Sequence, residues 1–143
     1  MVDGVRAVWM PGGVHTEIHL DADDTAGAFC LLVDRPPGGW SLPSHRHLHE
    51  AETIHIVEGE FEVVRDGVSH HLSAGETIHI PRGVMHASAN LGESLGRRVL
   101  MFSPAGLERF FLEAGAPAAG DEVDGAAALA AALRHGWEFA ARG

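Results

Sequence analysis

His45, His47, His49, Glu50 and Glu52 crowd into one stretch bracketed by Gly39 and Gly59. Histidines two apart on an extended segment project to the same side, because side chains alternate with period 2. Glu52 follows His47 by five residues, at the head of the β-type run 53–57 (Thr-Ile-His-Ile-Val). A bend after His47 would return its carboxylate to the imidazoles. Two neutral nitrogens and one carboxylate oxygen suit a divalent transition metal. His49 competes, since straight alternation puts all three imidazoles on one side. A fourth ligand and a cavity must come from elsewhere.

Composition narrows the setting. A chain of 143 residues is long enough for one domain with its own core. The single cysteine, Cys30, excludes an internal disulfide framework and fits a reducing compartment. No charged segment followed by an apolar one opens the sequence, so a cytoplasmic location is expected. The longest apolar run, 126–133, is too short to span a bilayer. A formal net charge of −10 argues against nucleic acid, whose binding needs Lys and Arg against phosphates. The chain has no lysine, which removes a Walker-type phosphate loop. Eleven histidines make metal chemistry worth pursuing.

The elements that must position these residues read as short strands followed by two helices. Segments 5–10, 17–20 and 26–33 are β-type, with 11–13 and 21–24 as turns. After the Pro36-Pro37-Gly38-Gly39 break come the histidine stretch, strand 60–64 and an Asp66-Gly67 hairpin turn. Segments 68–72, 78–81, 85–89 and 97–102 continue the pattern. Short strands punctuated by Gly and Pro predict an all-β sandwich or barrel. From Pro104 the period changes. Leu107, Phe110, Phe111 and Ala114 mark a helix ending at Gly115. Asp124 caps a second helix, with Leu129 and Leu133 in register, closing at His135 with Gly136 as its C′ residue. Residues 137–139 form a short strand or an extended tail. The division is therefore 1–103 barrel and 104–143 helical extension packed on it, in one domain.

Residues 52–56 and 76–80 are the same string, Glu-Thr-Ile-His-Ile. Glu76 follows Gly75 in a turn and is expected to cap a loop. With Glu52 inward, Ile54 and Ile56 point inward too, and His55 and His79 are outward strand residues. The stretch 75–90 supplies another histidine: Pro81 and Gly83 force a turn before a strand carrying His86.

Together the two stretches resemble the cupin superfamily at its signature positions. Gly39, His45, His47, Glu52 and Gly59 match its first motif; Gly75, Pro81, Gly83, His86 and Asn90 match its second. Residues 103–111 are similar to the helix that follows the barrel in quercetinase-like monocupins, and 134–136 are similar to their ending. The resemblance implies a double-stranded β-helix, the jelly-roll or cupin barrel, with short C-terminal helices. It implies one divalent transition metal (Fe, Mn, Ni, Co, Cu or Zn) held by His45, His47, Glu52 and His86. Its spacing leaves His49 as a supporting or entrance residue and Glu50 as a solvated or interface charge. Ile54, Ile56, Phe61, Val63, Ile78, Ile80, Met85, Val99 and Met101 are candidates to line the barrel. Ile54, Ile56, Met85 and Met101 are expected near the pocket, with Trp40 at its mouth. Trp9 and Trp137 are read as core or interface anchors.

Three functions follow from the resemblance. A metal-dependent dioxygenase acting on a small phenolic or enolic compound comes first, with Glu52 as the catalytic base. A non-redox metal enzyme, an aromatic polyketide cyclase or isomerase, comes second. A metal-stabilised small-molecule binding module comes third. Pairing of the apolar strand 5–10 with a second copy would cover an exposed edge, so a homodimer is expected.

Overall fold

The structure, a computed structural model, describes residues 5–118, 120–121 and 123–141. Its strands in chain order are β1 (Arg6–Met10), β2 (Val14–Leu20), β3 (Cys30–Arg35), β4 (Ser41–His47), β5 (Ala51–Glu58) and β6 (Phe61–Arg65). There follow β7 (Val68–Leu72), β8 (Thr77–Ile80), β9 (His86–Asn90), β10 (Arg97–Ser103) and β11 (Trp137–Phe139). Helices α1 (Ala22–Thr25), α2 (Glu108–Ala114) and α3 (Gly125–Arg134) complete the set. The strands form two antiparallel sheets, ordered β1-β2-β3-β10-β5-β8 and β11-β4-β9-β6-β7. This is the expected all-β double-stranded β-helix, and both sheets send side chains into a shared core.

Alternation shows how the barrel is built. In β5, Glu52, Ile54 and Ile56 are buried while Thr53 and His55 are half-exposed. The repeated pentapeptide pairs with itself. Residues 52–55 run antiparallel to 77–80, with Ile54 opposite Ile78 at the centre. On the outer face this sets two matching polar pairs: His55 Nδ1 lies 2.8 Å from Thr77 Oγ1, and His79 Nδ1 lies 2.9 Å from Thr53 Oγ1. Glu76 accepts from the Ser73 amide at 2.8 Å, closing the loop as expected. The Asp66-Gly67 turn has φ of 51° and 79°, matching the twist that joins β6 to β7.

Several expectations need correction. Residues 22–25 form one turn of helix, because Asp21 and Asp24 cap it reciprocally. On β10 the inward residues are Arg98, Leu100 and Phe102, so Val99 and Met101 face away from the barrel interior. Every residue from Val99 to Phe102 is apolar, so the run carries no parity signal. Helix α3 turns Ala128, Ala131 and Ala132 inward, leaving Leu129 and Leu133 49% and 56% exposed. Its small-residue face packs the helix against β11 and α2. Residues 137–139 complete a barrel sheet by pairing with β4, so the C-terminal segment contributes a strand as well as helices. Along the outer edge of β1, Trp9 exchanges two 2.8 Å backbone hydrogen bonds with Ala116, which covers part of that edge from within the chain.

Candidate metal centre

Register builds the site. His45 and His47 end β4, and His45 lies opposite His86 on β9. The turn at Pro81-Gly83 is tied to the first stretch by the Gly83 amide, which donates to the His47 carbonyl at 2.9 Å. Glu52 enters on β5, opposite Ile80 and Phe102. Ligand atoms of His45, His47, Glu52 and His86 all lie within 4.8 Å of one another, and all four residues are buried. The four can hold one metal ion.

The donor set fits such an ion. The Nδ1–H groups of His45 and His86 donate to the Pro43 and Val84 carbonyls at 2.9 and 3.0 Å, which orients both rings. That leaves the Nε2 lone pair of neutral His86 facing the Glu52 carboxylate at 3.1 Å, with His47 Nε2 at 3.4 Å from the same oxygen. Two acceptors at that separation require a cation between them, either a proton or a metal. Ligand atoms ~2.1 Å from an ion and at right angles are ~3 Å apart.

The electrostatics agree. Burial pushes the Glu52 carboxyl up, but the hydrogen bonds and charges of His47 and His86 outweigh it and hold Glu52 below the usual range. Burial pushes His86 down, and Glu52 more than restores it, so its value ends above the ordinary 6.5. Burial, with His86 and His47 nearby, pushes His45 down to about 3.

Above the ligands lies a cavity of about 250 Å³. Trp40, Leu42, Ile54 and Leu100 line its sides, and Phe110, Phe111 and Ala128 bring α2 and α3 to its wall. Of the residues expected near the pocket, Trp40 and Ile54 line it. Ile56 is fully buried core outside the lining, and Met85 and Met101 are also outside it. His49 is exposed, because β4 stops at His47 and alternation ends there; its ring packs over Gly136 instead. Glu50 is buried, 7% exposed, and not the solvated charge expected; burial raises its carboxyl above the ordinary value.

At this site the placement of Trp137 and the Asp34–Arg98 pair carried no signal in the sequence. Trp137 stacks on His45 at 4.7 Å and meets His47 edge-on at 4.6 Å. Asp34 and Arg98 form an ion pair in the cavity wall, with Nε to Oδ1 at 3.0 Å and Nη2 to Oδ2 at 2.6 Å. Asn90 is a loop clamp: its amide donates to the carbonyls of Pro36, Pro37 and Ser94 at 3.0 to 3.1 Å.

Fold and site define a double-stranded β-helix in which four buried residues could hold one metal ion. The chain belongs to the cupin family, whose domain matches residues 31–102. It is 32% identical over 101 residues to polyketide synthase CurC of Streptomyces cyaneus, covering 69% of this chain and 64% of that one. It is 29% identical over 94 residues to quercetin 2,3-dioxygenase of Bacillus subtilis, covering 66% and 28%. Among solved structures, the polyketide cyclase RemF of Streptomyces resistomycificus superposes with a TM-score of 0.59 at 25% identity, covering 72% of this chain and 80% of that one. The chain thus spans less than two thirds of the curated relatives' length. No helix among the described residues is long and apolar enough to cross a membrane.

Proposed function

We propose that this chain is a metal-dependent dioxygenase acting on a small phenolic or enolic compound. The observation that carries the reading is a buried carboxylate, Glu52, among three imidazoles, two of them oriented by backbone carbonyls, in the wall of a mainly apolar cavity. A divalent transition metal held by His45, His47, Glu52 and His86 would acidify a substrate hydroxyl and, if redox-active, link its anion to dioxygen. The residues do the rest. Glu52 accepts the hydroxyl hydrogen bond and receives the proton. Phe102, Leu100 and Trp137 exclude water, so the substrate anion is protected from reprotonation.

The test is oxygen uptake by iron- or manganese-loaded protein across a panel of enols and phenols. Uptake is expected with some member and lost in His86→Ala and Glu52→Gln. Equal turnover of the same compound without oxygen would sink the reading. One observation favours a second reading, a non-redox cyclase: CurC and RemF match this chain over more of their own length than the dioxygenase does. Anaerobic turnover with zinc would support it.

A further inference from the structure

We propose that the cavity holds a second recognition point: Arg98, clamped by Asp34, receives an acceptor oxygen at the end of an oxygenated aromatic ligand remote from the metal ligands. This rests on the reading that the ligand's other end engages the metal centre.

Thr16, Asp34 and Arg98 are direct register neighbours across β2, β3 and β10. All three are buried, and all three line the cavity. A buried ion pair is a weak source of stability, since desolvation offsets the attraction. Its placement in a cavity wall therefore asks for another role. Asp34 takes Nε and Nη2 in a fork, which fixes the guanidinium plane. Trp40 and Phe61 flank it, with ring centroids 4.8 and 5.4 Å from Cζ. The remaining edge, Nη1, reaches only Ser88 Oγ at 3.5 Å, a long contact. A rigid donor edge with a poor protein acceptor is suited to a ligand oxygen.

Spacing sets the ligand's size. Ser88 is two residues along β9 from His86, a separation of ~7 Å at strand rise. The walls between are Leu100 and Ile54. A flat ring with oxygens at both ends spans that gap. Asp34 already balances the charge of Arg98, so the group received is a ketone, quinone or phenol oxygen, and a phosphate dianion is disfavoured.

The probes are 2,3-dihydroxynaphthalene and its 6-acetyl derivative, titrated calorimetrically into zinc-loaded protein. The wild type is expected to bind the acetyl probe about tenfold more tightly, as one hydrogen bond to a charged donor implies. Removing Arg98 alone would strand Asp34, so the variant is the paired Asp34→Asn/Arg98→Met. It is expected to lose the preference, the ratio of the two probes' affinities falling to about one. If that variant does not fold, Arg98→Lys keeps the charge, loses the fork and is expected to lose the preference too. Zinc uptake with no preference in the wild type, or a preference that survives both changes, overturns the Arg98 assignment alone. Failure to take up zinc removes the metal reading and this proposal with it.

Discussion

Trp137 is the register partner of His47, and its indole meets that imidazole edge-on at 4.6 Å while stacking on His45 at 4.7 Å. One aromatic side chain thus walls two of the four candidate ligands. Trp137→Ala is expected to destabilise the protein by about 3–5 kcal/mol, the cost of truncating a buried aromatic. It should also weaken zinc binding, whereas Trp137→Phe should retain most of both. Denaturant melts with and without zinc check this; an unchanged midpoint in the alanine variant would contradict it.

The metal-free protein should be most stable near pH 6.5. His45 is held neutral by burial down to about 3, so its contribution is complete above 6.5 and is lost as pH falls below it. Glu52, held low, loses its contribution below about 4.5. His86 has the opposite sign: its raised value means its contribution is present below 6.5 and lost as pH rises through that value. Thermal melts of chelator-treated protein from pH 3 to 9 measure the curve, and a monotonic rise to pH 9 would refute it.

Metal binding should run the other way over the upper range. All three imidazoles must be neutral to ligate, so affinity should rise as pH passes the raised value of His86. Calorimetric zinc titrations in two buffers of different ionisation enthalpy should reveal proton release near neutrality. Binding without proton release at that pH would contradict the assignment of His86 as a ligand.

Cys30, the only cysteine, is buried, and burial with Glu108 nearby pushes its thiol up to about 12. It should resist a disulfide-exchange reagent in the folded protein and react at once in denaturant. Rapid stoichiometric reaction under native conditions would show that β3 opens far more readily than its burial implies.

A Cβ at Gly38 would lie 2.4 Å from the Glu93 backbone, which has no flexible side chain to move aside. Asn90 ties these same two loops together. Gly38→Ala should therefore cost about 1–3 kcal/mol, read from the urea midpoint. A shift within error would show that the loops part freely.

The four candidate ligands came from the resemblance of the sequence's two motifs to the cupin pattern. The sequence by itself determined the strand-rich architecture and the Asp-Gly hairpin, because both are written in local spacing and turn chemistry. The inward parity of β5 was legible for the same reason: Thr53 and His55 interrupt its apolar residues. Tertiary structure alone decided the rest. Val99 and Met101 could not be separated from Leu100 and Phe102, since an unbroken apolar run reads alike in either phase until its neighbours β3 and β5 set the register. Glu50 is buried and His49 lies outside the cavity lining because the chain leaves β geometry after His47, where alternation no longer applies. Trp137 at the ligands, and Arg98 paired with Asp34, depend on strands far apart in sequence meeting side by side. No local pattern encodes such a meeting; it is fixed by which sheet edges close the barrel.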